Sequence, residues 1–163
     1  MKVTKTTKSK LNKIDFSNLP FGTVFSDHML ICNYKDGHWG EAEILPYGPI
    51  PMAPGSQVLH YGQSVFEGMK AFKNDSNELL LFRKDENFKR LNQSAVRLSI
   101  PLIDESVFMN GLDSLLKIDS EWCKADQGYS LYIRPFIFAS SECVKASASE
   151  EYTFIIITSP TIN

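Results

Sequence analysis

The sequence is poor in the features that would tie it to a metal, a membrane or a disulfide framework. Its cysteines, Cys32, Cys123 and Cys143, are three in number and have no CxxC spacing. They read as reduced thiols in a cytoplasmic protein. The histidines, His28, His38 and His60, also lack metal-ligand spacing, so no metal site is expected. No apolar run approaches the ~20 residues that span a bilayer. No apolar segment follows the N-terminal lysines, as a secretory signal requires. Without such a signal the sequons at Asn74 and Asn92 carry no meaning. Also missing are a Gly-rich phosphate loop, a G-x-S-x-G elbow and any paired-carboxylate or Cys/His constellation.

What is present describes one folded unit. The 163 residues fit a single domain on the usual scale of ~100–200. Hydrophobic residues at 43% and charged ones at 22% exclude low-complexity disorder. The net charge of −2 hides an asymmetry: residues 1–13 carry five lysines and no acid, leaving 12 bases against 19 acids in residues 14–163. The N-terminal stretch reads as a basic, disordered tail. A folded part with a charge of −7 is poorly suited to a phosphate backbone, so no nucleic acid is expected.

Val24–Tyr34 is rich in strand formers, Lys35-Asp36-Gly37 signals a turn, and Glu41–Leu45 alternates, which together predict a hairpin. Residues 46–55 hold four prolines and two glycines and read as loop. A helical turn is expected near Gln63–Glu67, then a strand over Met69–Phe72, a turn at Asn74–Asn77 and a strand over Leu79–Arg83. Phe88, Leu91, Ala95 and Leu98 are spaced 3, 4, 3. That spacing predicts a helix over Asp85–Ile100, stopped by Pro101. A second helix is predicted over Asp104–Trp122, and strands over Tyr129–Ala139 and Tyr152–Thr158. Helices segregated from mostly antiparallel strands make an α+β, two-layer small domain.

All four arginines lie between positions 83 and 134. Guanidinium forks suit carboxylates and phosphates better than lysines do. Asn87, Arg90, Ser94 and Arg97 repeat the apolar stripe's spacing on an adjoining face of the first helix. Such a stripe either lines a pocket or is a solvated face. Tyr132 and Arg134 point to one side of their strand. An arginine in so apolar a strand needs a partner, either a ligand carboxylate or an internal acid. Tyr61, Phe66 and Phe72 fall in a segment bracketed by Gly62 and Gly68, as core aromatics around a bend or as part of a site.

Four segments together go further. HYGQSVFEGMKAFK (60–73), LFRKDENFKRLNQSAVRLSIP (81–101), SLYIRPFIF (130–138) and FGTVFSDHMLICNYKDGHWG (21–40) resemble, in order, the branched-chain amino-acid aminotransferases of the fold-type-IV pyridoxal-phosphate class. The resemblance implies a small α+β N-terminal domain, with pyridoxal 5'-phosphate held between it and a larger C-terminal domain. By resemblance, Arg90 matches the arginine that holds the cofactor phosphate. Phe21, Tyr61 and Phe66 match substrate-pocket aromatics, and Tyr132 and Arg134 match the Y-x-R-P pair near the substrate. Cys143–Ala146 matches a loop that reaches the partner subunit of a homodimer. The implied substrates are leucine, isoleucine or valine with glutamate or 2-oxoglutarate. The family's cofactor-linked lysine belongs to the C-terminal domain, so the chain is expected to be the N-terminal domain alone, inactive by itself. A D-amino-acid transaminase, an aminodeoxychorismate lyase and a non-catalytic dimerisation or anion-binding module are the alternatives.

Overall fold

The computed structural model describes residues 1–162, and Asn163 lies outside them. In chain order the elements are β1 (Lys2–Val3), β2 (His28–Lys35), β3 (His38–Trp39), β4 (Glu43–Pro46), α1 (Gln57–Tyr61), β5 (Ser64–Phe66), β6 (Met69–Lys73), β7 (Leu79–Leu81), α2 (Lys84–Arg97), α3 (Glu105–Ile118), β8 (Tyr129–Ala139) and β9 (Tyr152–Ile162). The strands form one sheet in the order β1-β4-β2-β9-β8-β6-β7, with β3 on β2 and β5 on β8. Every pairing is antiparallel except that of β1 with β4. This is the expected α+β arrangement.

The period-2 alternation of β8 divides the molecule into two sides. Leu131, Ile133, Ile137 and Ala139 are fully buried under the helices. Tyr132, Arg134 and Phe136 face the other way and stay partly accessible. On the helix side, Leu91 and Ala95 of α2 and Phe108, Leu112 and Leu115 of α3 meet Leu30, Ile44, Phe154 and Ile156 of the sheet. Phe108 stands between Phe88 and Phe154, with ring centres at 5.4 and 6.1 Å. Gly111 lets α3 approach β2, where a methyl group would lie 2.3 Å from Leu30 Cδ1.

Several boundaries differ from the sequence expectations. The helical turn lies at Gln57–Tyr61 and ends at Gly62 in the left-handed conformation (φ 66°), while Ser64–Phe66 is strand. Helix α2 stops at Arg97, where Ser99 turns left-handed (φ 54°) and the Ile100 amide bonds back to the Ala95 carbonyl at 2.9 Å. The break precedes Pro101 because the residue before a proline disfavours helical backbone. Strand β9 runs on to Ile162 through Pro160, beyond the stretch paired with β2, where β8 is its neighbour in the sheet.

The N-terminal stretch is not a free tail. Three of its backbone amides reach acceptors on buried residues of the sheet or beside it, which its lysine-rich composition concealed. The Thr4 amide joins Ile44 in extending β1 along β4. The Thr6 amide donates to His28 Nε2 at 2.9 Å, so His28 Nδ1 carries the hydrogen shared with Asp119 Oδ1 at 2.6 Å. The Lys10 amide and the Ser9 hydroxyl both donate to the Asp27 carboxylate, at 2.9 and 2.5 Å.

Candidate active site

A proline sets up the site. Strands β5 and β6 both pair with β8 in one continuous register, Phe66 opposite Phe136 and Met69 opposite Ile133. That register places Glu67 opposite Pro135 and Gly68 opposite Arg134. The Glu67 amide donates to the Pro135 carbonyl at 2.8 Å. Pro135 has no N–H to return the bond, so the ladder lapses for two residues. What surrounds Glu67-Gly68 on each side is the candidate site.

On the helix side, the buried Glu67 carboxylate meets the polar stripe of α2. Arg90 grips it with two donors, Nε on Oε1 and Nη2 on Oε2, the second at 2.8 Å. Asn87 Nδ2 donates to the same Oε2 at 2.9 Å, and the Gly68 amide to it at 3.2 Å. Burial pushes this carboxyl group up. The bonds from Arg90, Asn87 and the Gly68 amide outweigh burial and hold its pKa below the usual glutamate value. The Arg90 side chain is nonetheless open, at 64% exposure. An open groove of about 440 Å³ beside it is bordered by Phe82, Arg83, Asn87 and Gln93.

On the opposite face, Arg134 donates to the Tyr132 hydroxyl from Nε at 3.2 Å and from Nη2 at 2.7 Å. Its guanidinium lies 4.5 Å from the centre of the Phe66 ring and 5.4 Å from that of Tyr132. Phe21 meets Tyr132 edge-on, with ring centres 5.1 Å apart. Among the described residues no carboxylate lies within ion-pair distance of Arg134. The partner question is therefore answered by an aromatic wall and a phenol oxygen, with no internal acid. Gly68 fits because it has no side chain: a methyl there would lie 2.5 Å from Tyr132 Oη.

The geometry thus gathers Phe21, Phe66, Tyr132 and Arg134 on one face. Arg90 stands across the two-residue break from them, joined through Glu67. Tyr61 is engaged elsewhere, donating its hydroxyl to the Val144 carbonyl. Gln57 Nε2 holds the same loop through the carbonyls of Lys145 (3.3 Å) and Ser147 (3.0 Å), so α1 moors residues 143–147. The sequence reading missed Glu67. The available signal was the one applied to Arg134: a lone charge inside an apolar segment must have a partner.

No protein-family profile matches the chain. Curated relatives do. A probable branched-chain-amino-acid aminotransferase of Staphylococcus aureus (strain MRSA252) is 49% identical over 149 residues, 91% of this chain and 41% of the relative. The branched-chain-amino-acid transaminase 1 of Bacillus subtilis (strain 168) is 44% identical over 149 residues, 91% of this chain and 42% of the relative. The chain spans about two fifths of the length of the curated relatives it matches. Among solved structures, the branched-chain amino acid aminotransferase of Escherichia coli shares the fold at a TM-score of 0.62 and 24% identity, covering 83% of this chain and 40% of that one. The branched-chain aminotransferase of the thermophilic archaeon Thermoproteus uzoniensis, solved with norvaline, gives 0.60 and 22%, covering 80% and 40%. Another branched-chain amino acid aminotransferase, complexed with N-(5'-phosphopyridoxyl)-L-glutamate, gives 0.54 and 25%, covering 78% and 39%.

Proposed function

This chain belongs by sequence to the branched-chain-amino-acid aminotransferases, and on that premise we propose that it forms the small domain of an enzyme moving the amino group of leucine, isoleucine or valine to 2-oxoglutarate. The observation that carries the reading is the setting of Arg134. It is a cation with no carboxylate of its own, held against aromatic rings in a strand that needs no charge there. Such a site takes a branched aliphatic side chain against Phe21, Phe66 and Tyr132 and the second carboxylate of a dicarboxylic partner on the guanidinium. Both kinds of substrate then use one pocket.

The cofactor in this reading is pyridoxal 5'-phosphate. Arg90 fits its phosphate, because two of the five guanidinium N–H groups go to Glu67 and the other three meet no acceptor among the described residues. When bound, the cofactor supplies the electron sink that lets an amino acid give up its α-proton and leave its nitrogen behind. Arg90 anchors the phosphate, the aromatic face excludes water, and Arg134 orients the acid. Tyr61 stands outside that wall and moors the 143–147 loop, which in this reading reaches a second subunit of a cytoplasmic homodimer.

The test uses the full-length protein that carries these residues. Purified with the cofactor, it is expected to form glutamate from 2-oxoglutarate with leucine, isoleucine and valine. The 163-residue chain alone is expected to form none. A preference for D-alanine over L-leucine reverses the substrate assignment.

A further inference from the structure

The structure assigns to Glu67 a role that follows from the proposed function and rests on it: we propose that Glu67 is the positioning residue for Arg90, clamping one edge of the guanidinium so that its other end faces the cofactor phosphate. The clamp is over-determined. Glu67 is 4% exposed and sits where Pro135 has stopped the β-ladder, so its backbone is fixed by the Phe66 and Met69 pairings on either side. Its carboxylate takes both the Nε and the Nη2 edge of Arg90, and Asn87 and the Gly68 amide fix the carboxylate in turn. That uses the side of the fork nearest the chain. The Nη1 end and the second Nη2 hydrogen, on a side chain 64% exposed, are left for an outside anion.

Two effects of Glu67 on phosphate affinity oppose each other. Its negative charge repels a phosphate across the guanidinium. On an exposed arginine in water, that repulsion is worth about threefold at roughly 7 Å. Freeing an arginine with its full rotamer entropy is worth about thirtyfold. Positioning wins by about tenfold, so removing the carboxylate weakens phosphate binding although it removes a like charge. Glu67 also ties the two faces of the break together. Phe66 before it packs on Arg134, and Gly68 after it packs under Tyr132.

The experiment measures binding of pyridoxal 5'-phosphate and of pyridoxal, which lacks the phosphate, to the apo form of the full-length protein, with the 31P resonance of the bound phosphate as a second readout. Glu67→Gln is expected to weaken the phosphorylated ligand about tenfold, leave pyridoxal within twofold and shift and broaden the 31P line. Asn87→Ala, which leaves the ion pair but loosens it, should do the same more weakly and decides the matter if Glu67→Gln does not fold. Glu67→Asp should recover part of the loss. Arg90→Ala should abolish the preference for the phosphorylated ligand, and Glu67→Gln added to it should change nothing further. If Arg90→Ala abolishes the preference while the Glu67 and Asn87 variants retain it, the clamp is refuted and the cofactor reading stands. If Arg90→Ala leaves the preference intact, the cofactor reading fails and the clamp falls with it. Equal losses for both ligands in Glu67→Gln and Asn87→Ala mean a merely structural role and also overturn the proposal.

Discussion

Replacing Gly68 with alanine tests the packing at the break, because the backbone there is not left-handed and alanine can adopt it. The cost is therefore steric. The new methyl would lie 2.5 Å from Tyr132 Oη and 3.2 Å from Cζ, so the phenol must retreat by about 1 Å to reach ordinary contact. It is not free to do so. The hydroxyl accepts from Arg134 at 2.7 and 3.2 Å, and the ring rests edge-on against Phe21. Overpacking of this kind costs about 1–3 kcal/mol. The stiffer unfolded chain returns about 0.4–1 kcal/mol. Tyr132 is partly accessible, so it yields at the expense of those contacts without straining the core, which favours the low end of the range and leaves a net loss of about 0.5–1 kcal/mol. For a chain of this size that lowers the melting temperature by about 1–4 °C, measured by thermal or urea unfolding. Tyr132→Phe removes the oxygen that the methyl strikes, so Gly68→Ala should cost less than half as much in that background. A neutral or stabilised Gly68→Ala, or an equal cost in both backgrounds, refutes the packing argument.

Other perturbations have equally definite outcomes. Gly111→Ala gains about 1 kcal/mol of helix propensity but drives a methyl to 2.3 Å from the fully buried Leu30; urea unfolding should show a net loss of about 1–2 kcal/mol. Tyr61→Phe deletes the bond to the Val144 carbonyl, and limited trypsinolysis after Lys145 should speed up severalfold while the melting temperature moves little. Burial pushes the Asp27 carboxyl up, but bonds from Ser9, the Lys10 amide and Trp122 outweigh it and set its folded pKa below the unfolded value. Its stabilisation is therefore complete above the unfolded pKa of about 4 and is lost as pH falls through the lower folded value. Protection of the Lys10 amide against hydrogen exchange, taken relative to its intrinsic rate at each pH, should fall below about pH 4, and Asp27→Asn should abolish that pH dependence.

The parts legible in the sequence were those with a period or a pairing rule. Helices α2 and α3 showed their apolar stripes, and the alternation in β8 placed Tyr132 and Arg134 on one face from the residues alone. What stayed hidden depended on partners far along the chain. Nothing local marks Asp27 and His28 as acceptors for amides about twenty residues upstream, so composition alone made the arm look free. The five-residue helix α1 is too short to show a period, and its end is a glycine conformation. Glu67 finds its arginine 23 residues away, and the cause of their meeting is a missing N–H on a third element, at Pro135. The helix stripe singled out Arg90, and nothing in the spacing named the acid it pairs with.

Strand β9 lies at the centre of the sheet although, of the nine strands among the described residues, it is the last to leave the ribosome. Met29 waits for Ile157, 128 positions later, before its half of the sheet can close. Closure over so long a loop is entropically slow, and until it happens β2 and β8 present bare amide edges to any neighbouring chain. Nascent chains halted near residue 150 are therefore the species most prone to aggregate, and the ones that holdase chaperones should be found guarding.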